Sequence, residues 1–118
     1  MFKTVSEEIY SFLTSLPEFT SVMNRDGKNY LWPMVAPIET ELPLATYVLG
    51  DRTPETKDKS QIVATLAFWF GIESYDDCCE FTDSISNAVD ENYILVSSSI
   101  EYNPESNTFS GIINCKLI

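Results

Sequence analysis

The segment QIVATLAFWFGIESYDDCCEFTDSISNAV, residues 61–89, changes from apolar to acidic near its middle. Its first half is rich in β-branched and aromatic residues, which indicates a strand, and alternate side chains of a strand point to opposite faces. One face would carry Ile62, Ala64, Leu66, Phe68 and Phe70, and the other Val63, Thr65, Ala67 and Trp69. Because both faces are apolar, both faces of a strand over residues 60–72 should be covered. Either the chain itself covers both faces, or a neighbouring subunit covers one of them. Under the second alternative, the face that ends at Trp69 is a candidate subunit interface.

The second half of the segment predicts an amphipathic helix over residues 75–89. Ser74 is the expected N-cap, with Asp77 at the third helical position. The apolar positions share one face: Cys78, Phe81, Thr82, Ile85, Ala88 and Val89. The acids Asp76, Glu80 and Asp83 are spaced so that they share the opposite face, which we call the acidic stripe. This stripe is either an ordinary solvated helix face or a surface with a function.

Another amphipathic helix is expected near the start of the chain, over residues 5–16. Its apolar residues recur at helical spacing. Thr4 is the expected N-cap, and Pro17 should end the helix because the residue before a proline is disfavoured in the helical region. Further strands are expected over residues 30–32, 44–49, 93–102 and 108–118.

The strands should form an antiparallel or mixed sheet. Pro33 should confine the first strand to a sheet edge, and Gly50 should close the second. The polar residues 51–59 then join the second strand to the strand over 60–72, which makes a long β-hairpin. We therefore predict a single α+β domain over residues 1–118, with its sheet packed by two main helices.

The charge balance limits the partners of the protein. The 118 residues include 18 acids, 7 Lys and Arg and no His, for a formal net charge of −11. Nucleic acids and acidic membranes both attract cations, so neither specific nucleic-acid binding nor membrane binding is expected. The start of the chain does not resemble a secretory signal, and three cysteines do not make a disulfide framework. A reducing cytoplasm is the expected location.

Catalytic chemistry is not indicated. Histidine, the commonest general base, is absent. Cys78 and Cys79 are neighbours on a helix and point about 100° apart, so they cannot chelate a metal together, and Cys78 is expected in the core. The acidic stripe alone cannot supply the six to eight oxygens of a calcium site. We expect no metal, no cofactor and no enzyme activity.

Three stretches together suggest a family. They are SLPEF at residues 15–19, YLWPMVAP at residues 30–37, and IVATLAFWFGIESYDDCCEFTDSISNAV at residues 62–89. In this order they resemble the tail-completion proteins of long-tailed bacteriophages, the tail-terminator and minor-tail group.

The resemblance implies a structural subunit that forms a ring, with a hexamer as the expected form, at the end of the tail tube. The partners would then be other copies of the chain and the tail tube and neck proteins, first in the host cytoplasm and later in the virion. The acidic stripe would line a channel and repel passing DNA. The hairpin tip would contact the tube or neck through Asp51, Arg52, Thr53, Pro54, Glu55, Lys57, Asp58 and Lys59.

Two other functions are compatible with the sequence. One is an acidic protein-binding adaptor, such as an inhibitor that mimics DNA through its carboxylates. The other is a small enzyme that uses carboxylates alone.

Overall fold

The computed structural model of the protein describes residues 2–54 and 60–117, and for residues 51–54, 60 and 61 it describes the backbone alone. Its helices are α1 (Phe2–Ser15), α2 (Pro17–Met23) and α3 (Tyr75–Asn92). Its strands are β1 (Asn24–Arg25), β2 (Lys28–Asn29), β3 (Leu31–Pro33), β4 (Leu44–Pro54), β5 (Ser60–Gly71), β6 (Ile94–Asn103) and β7 (Thr108–Leu117).

Five of these strands form one mixed sheet in the order β3-β4-β5-β7-β6, and β1 and β2 form a small hairpin of their own. The pairs β4–β5, β5–β7 and β6–β7 are antiparallel, whereas β3 runs parallel to β4. The chain leaves β5, forms α3 and enters β6, which lies two places away because β7 is inserted between them. Strand β5 is therefore the centre of the sheet.

The three helices contribute to one core with a single face of the sheet. The face of β5 that runs from Ile62 to Phe70 is buried, as are Val5, Ile9 and Leu13 of α1. Phe81 of α3 joins the layers, since its ring contacts those of Phe19, Phe68 and Phe70 at centroid distances of 6.0, 5.0 and 5.6 Å. Aromatic pairs at these distances stabilise a core beyond the area they bury.

The main sequence predictions about the fold are confirmed. The structure is an α+β fold with helices packed on a mixed sheet, and it contains the predicted long hairpin of β4 and β5. Strand β3 lies at a sheet edge, as Pro33 predicts. Every predicted apolar position of α3 is buried.

Two local predictions are wrong, and one short helix is not among the predictions. Helix α1 begins at Phe2, so Thr4 lies inside it and is not its N-cap. Pro17 ends α1 as predicted, with Leu16 extended, and it also starts the unpredicted helix α2, because proline suits the first position of a helix. Gly50 does not close β4, which continues to Pro54 across a register shift between Leu49 and Arg52.

Ser74 does precede α3 at the N-cap position, but its side chain makes no capping hydrogen bond. The helix nevertheless begins at Tyr75, as predicted. At the other end α3 extends three residues beyond Val89, to Asn92.

Candidate functional site: the open face of the sheet

The sheet face that points away from the helices is the candidate site, and we call it the open face. Its members follow from the strand register, which pairs Thr65 of β5 with Val48 of β4 and with Asn114 of β7. The open face includes Trp32, Leu44, Thr46, Val48, Val63, Thr65, Ala67, Trp69, Ser97, Ser99, Glu101, Ser110, Ile112, Asn114 and Lys116. It therefore contains all four residues of the candidate subunit interface.

The two faces of β5 differ in burial. All five residues of its helix-facing side, from Ile62 to Phe70, are buried. The four on the open face, from Val63 to Trp69, are half-buried, and Val48 beside them is exposed. The chain thus leaves an apolar strip partly in contact with solvent at the centre of the sheet.

A row of hydrogen-bonded polar side chains crosses the middle of the open face. The Thr65 hydroxyl donates to Oδ1 of Asn114 at 2.7 Å, and Nδ2 of Asn114 donates to Oγ of Ser97 at 3.0 Å. The row spans three strands, so it fixes the rotamers of these side chains relative to one another. Apolar residues lie on both sides of it, with Val63 towards one end of the sheet and Ala67 and Ile112 towards the other.

At one end of the open face, a groove of about 320 Å³ lies between Trp69 and the loop that connects β3 to β4. Most of its lining is apolar: Met34, Val35, Ala36, Pro37, Leu42, Leu44 and Trp69. Leu44 and Thr46 are buried although they lie on this side of the sheet, and the indole Nε1 of Trp69 is 3.4 Å from Oγ1 of Thr46. We call this feature the Trp69 groove.

Sequence reasoning missed the Trp69 groove. A signal was present in the segment 34–38, which has Met, Val and Ile between prolines in a part of the chain that lacks a regular pattern. Apolar residues in an irregular segment indicate either a loop that folds onto the body or an exposed contact.

The acidic stripe lies on the other side of the molecule. Asp76, Glu80 and Asp83 are all exposed on the face of α3 that points away from the sheet. A groove of about 560 Å³ between α2 and α3 brings Glu80 near Glu18 and Asp77. The structure therefore places the stripe and the candidate subunit interface on opposite surfaces, with the core between them.

The predicted tube-contacting loop lies mostly outside the described residues. The backbone of residues 51–54 belongs to β4, whereas Glu55, Lys57, Asp58 and Lys59 are not described. The role predicted for this loop stays a prediction.

The chemistry available in the described part of the chain is limited. No group of three or more His, Cys, Asp or Glu side chains there could hold a metal ion. The three thiols are free, and burial raises the pKa of Cys115 from 9.0 to about 11, so this thiol stays protonated and unreactive near neutral pH. Burial also raises the pKa of Cys78, as expected for a core cysteine.

Among the helices that the structure describes, none has the length and apolar character needed to span a membrane. No protein-family model matches the chain, and a search of curated proteins finds no similar sequence.

Proposed function

We propose that the protein is a structural subunit of a bacteriophage tail, a tail-completion or tail-terminator protein that forms a ring at the end of the tail tube. The open face of the sheet is the observation that carries this proposal. A central strand that is apolar on both faces, but covered by helices on only one, suits a subunit that completes its burial against another copy. The sequence resemblance to tail-completion proteins supplies the ring and its place in the virion.

The energetics favour an apolar contact. Burying apolar surface contributes about 25 cal/mol per Å², and stable interfaces cover about 800 Å² on each partner. The open face offers Val48, Val63, Ala67 and Ile112 around the row of polar side chains, as well as Trp69. Large aromatic residues in such positions often dominate binding energies.

Charge opposes assembly, because each copy carries a formal net charge of −11. Screening by salt weakens the repulsion between exposed charges and leaves apolar contacts in place. Self-association of this protein should therefore strengthen as salt rises.

We assign the acidic stripe to the channel wall of the ring. One neighbouring copy cannot cover both the open face and the stripe, since they lie on opposite surfaces. A row of carboxylates on the channel wall would repel the phosphates of a passing genome. Replacing the three acids of the stripe by their amides should leave ring formation intact and allow the ring to retain DNA.

Light scattering coupled to size-exclusion chromatography tests the proposal, with protein and salt concentrations both varied. We expect a ring whose population grows with protein and with salt. A monomer at every concentration and salt would contradict the proposal.

The exposed stripe favours one alternative, an acidic adaptor or DNA mimic. Such a protein would bind a basic partner, and that binding would weaken steeply as salt rises. The opposite salt dependences separate the two functions.

A further inference from the structure

We propose that the end of the open face around Trp69 binds an arginine side chain of a basic partner protein, with the indole ring as its platform and Glu39 and Glu105 as its counter-charges. This inference goes beyond the proposed ring, because the partner is a different protein from the subunit itself. It also does not depend on the ring, since one copy of the chain supplies the whole site.

The first observation is that two grooves meet at Trp69. A second groove, of about 490 Å³, is lined by Trp69 and by residues 103–106 at the turn between β6 and β7. Trp69 and Ser106 line both this groove and the Trp69 groove. The indole is therefore a shared wall between the loop of residues 34–43 and the β6–β7 turn.

The second observation is the charge around the indole. Glu39 lines the Trp69 groove, Glu105 lines the second groove, and both side chains are exposed. Glu101 lies in the same row of the open face as Trp69, since both pair with Ser110, and the two strands are roughly 10 Å apart. Among the described residues, no Lys or Arg lines either groove. A cation on the indole would therefore be surrounded by carboxylates alone.

Helix stability does not explain these carboxylates. Asp76 and Asp77 lie in the first turn of α3, where acids interact favourably with the helix dipole. Glu39 and Glu105 lie outside the helices. Glu39 also adopts a left-handed φ of 65°, a conformation in which glycine would be less strained. The fold thus accepts a strained glutamate at the wall of an aromatic groove.

The site suits a long basic side chain. The indole N–H of Trp69 donates to Oγ1 of the buried Thr46 at 3.4 Å, which holds the ring in one orientation. The apolar lining from Met34, Val35 and Leu42 can cover an alkyl stem, as lysine and arginine stems often pack on apolar surface. A planar guanidinium can then stack on the indole while its N–H groups face the carboxylates.

The charge balance favours a different protein over a second copy as the source of the arginine. With 18 acids against 7 Lys and Arg, the chain repels its own copies and attracts basic proteins. Arg25 is already engaged, because its guanidinium lies 3.7 Å from the centroid of the Tyr30 ring and donates to the carbonyls of Val22 and Glu41. That contact also shows within this chain the arrangement inferred at Trp69.

An NMR titration of the isotope-labelled protein at low salt tests the inference. The probe is the peptide acetyl-Gly-Arg-Gly-amide, and the control is the same peptide with citrulline, which keeps the planar head group without its charge. We expect the arginine peptide alone to shift the indole N–H signal of Trp69 and the amide signals of Glu39 and Glu105, with a Kd on the order of millimolar. Trp32→Phe identifies which of the two indole signals belongs to Trp69.

Two double variants separate local binding from general negative charge. Glu39→Gln with Glu105→Gln removes the counter-charges of the site, whereas Asp76→Asn with Asp83→Asn removes the same charge from the opposite surface. The first should raise the Kd of the arginine peptide roughly fivefold, and the second by less than about twofold. Trp69→Phe should also raise the Kd, because the phenyl ring attracts cations more weakly than indole does.

Equal binding of the arginine and citrulline peptides, or equal effects of the two double variants, would overturn the inference. Self-association is a separate measurement, and the variant that lacks Glu39 and Glu105 should self-associate at least as well as the natural protein, because it carries less negative charge. Weaker self-association would mean that another copy supplies the base, which would overturn the assignment to a different protein and leave the ring standing. A natural protein that binds the arginine peptide but never self-associates would contradict the ring and support this inference.

Discussion

Gly111 of β7 offers a sharp test of how α3 packs on the sheet. A Cβ atom at Gly111 would lie 1.8 Å from Oγ1, 2.9 Å from Cβ and 3.1 Å from Cγ2 of Thr82. Both residues are buried, and Gly111 pairs with Phe68 at the centre of the core. The absence of a side chain at Gly111 is what allows the helix to approach the sheet this closely.

Rotation of the Thr82 side chain cannot relieve the overlap. The Cγ2 methyl and Cβ of Thr82 also lie close to the added atom, so α3 would have to shift by several tenths of an ångström. Overpacking of this kind lowers the free energy of unfolding by about 1–3 kcal/mol. Replacing Gly by Ala in a strand raises it by about 0.5–1 kcal/mol, because Ala loses less backbone entropy on folding. We expect Gly111→Ala to lower the free energy of unfolding by about 1–2 kcal/mol, which corresponds to roughly 4–8 °C in Tm for a chain of this size.

Chemical and thermal unfolding followed by circular dichroism measures this change. Gly71→Ala is the matched control, since nothing lies within 4 Å of its added Cβ, and it should be neutral or slightly stabilising. Adding Thr82→Ala should recover a large part of the loss, because it removes Oγ1, which has no hydrogen-bond partner, as well as the methyl group. Equal stability of the Gly111 and Gly71 variants, or no recovery in the double variant, would refute this account of the helix–sheet contact.

Three further predictions concern other parts of the molecule. Asn114→Ala breaks the row of hydrogen bonds between Thr65 and Ser97 and should cost about 1 kcal/mol in urea unfolding, with no change in the fold. Neutralising the acidic stripe by Asp76→Asn, Glu80→Gln and Asp83→Asn should leave Tm within about 2 °C, because these side chains are exposed, and should lower the salt needed for elution from an anion exchanger. Because burial raises the pKa of Cys115 from 9.0 to about 11, the thiol ionises in the unfolded chain before it does so in the native protein. The free energy of unfolding should therefore fall as pH rises between these values, and Cys115→Val should show a smaller fall over the same range.

Local pattern explains why most of the fold could be predicted. Apolar side chains at every second position from Ile62 to Phe70 predict one fully buried strand face. The helical spacing of Phe81 and Ile85 predicts a helix that packs against that face. The exposed positions of the acidic stripe follow from the same helical spacing. Each of these predictions depends on residues that are close together in the chain.

The errors and the missed helix occur where one residue has two possible effects. Pro17 ends α1, as its effect on Leu16 predicts, but proline also suits the first turn of a helix, and the unpredicted helix α2 begins there. Gly50 was expected to stop β4, but a glycine can also lie at a strand irregularity, and its added Cβ would be only 3.0 Å from the carbonyl oxygen of Val63. Local rules do not choose between such alternatives.

The candidate site was predicted in part. The open face could be predicted because alternate side chains of β5 point to opposite faces, so Val63 and Trp69 lie on the same face. The Trp69 groove could not be predicted, because it depends on the path of residues 34–43 back across the sheet. That path is fixed by contacts between distant residues, such as the hydrogen bond from Met34 to Tyr47 and the parallel pairing of Leu31 with Ala45.

The central claim is that another copy of the chain covers the open face. Thiol labelling of the assembled particle measures this most directly. The Cys79→Ser background retains only the buried Cys78 and Cys115, and an accessible cysteine is added to it by Ala67→Cys or, separately, by Asp83→Cys. If the claim is correct, labelling at position 67 is slower in the assembled particle than in the monomer, because a stable contact covers about 800 Å² on each partner and excludes the reagent, while position 83 stays reactive. Labelling at position 67 that is equally fast in the monomer and in the assembled particle would contradict the claim.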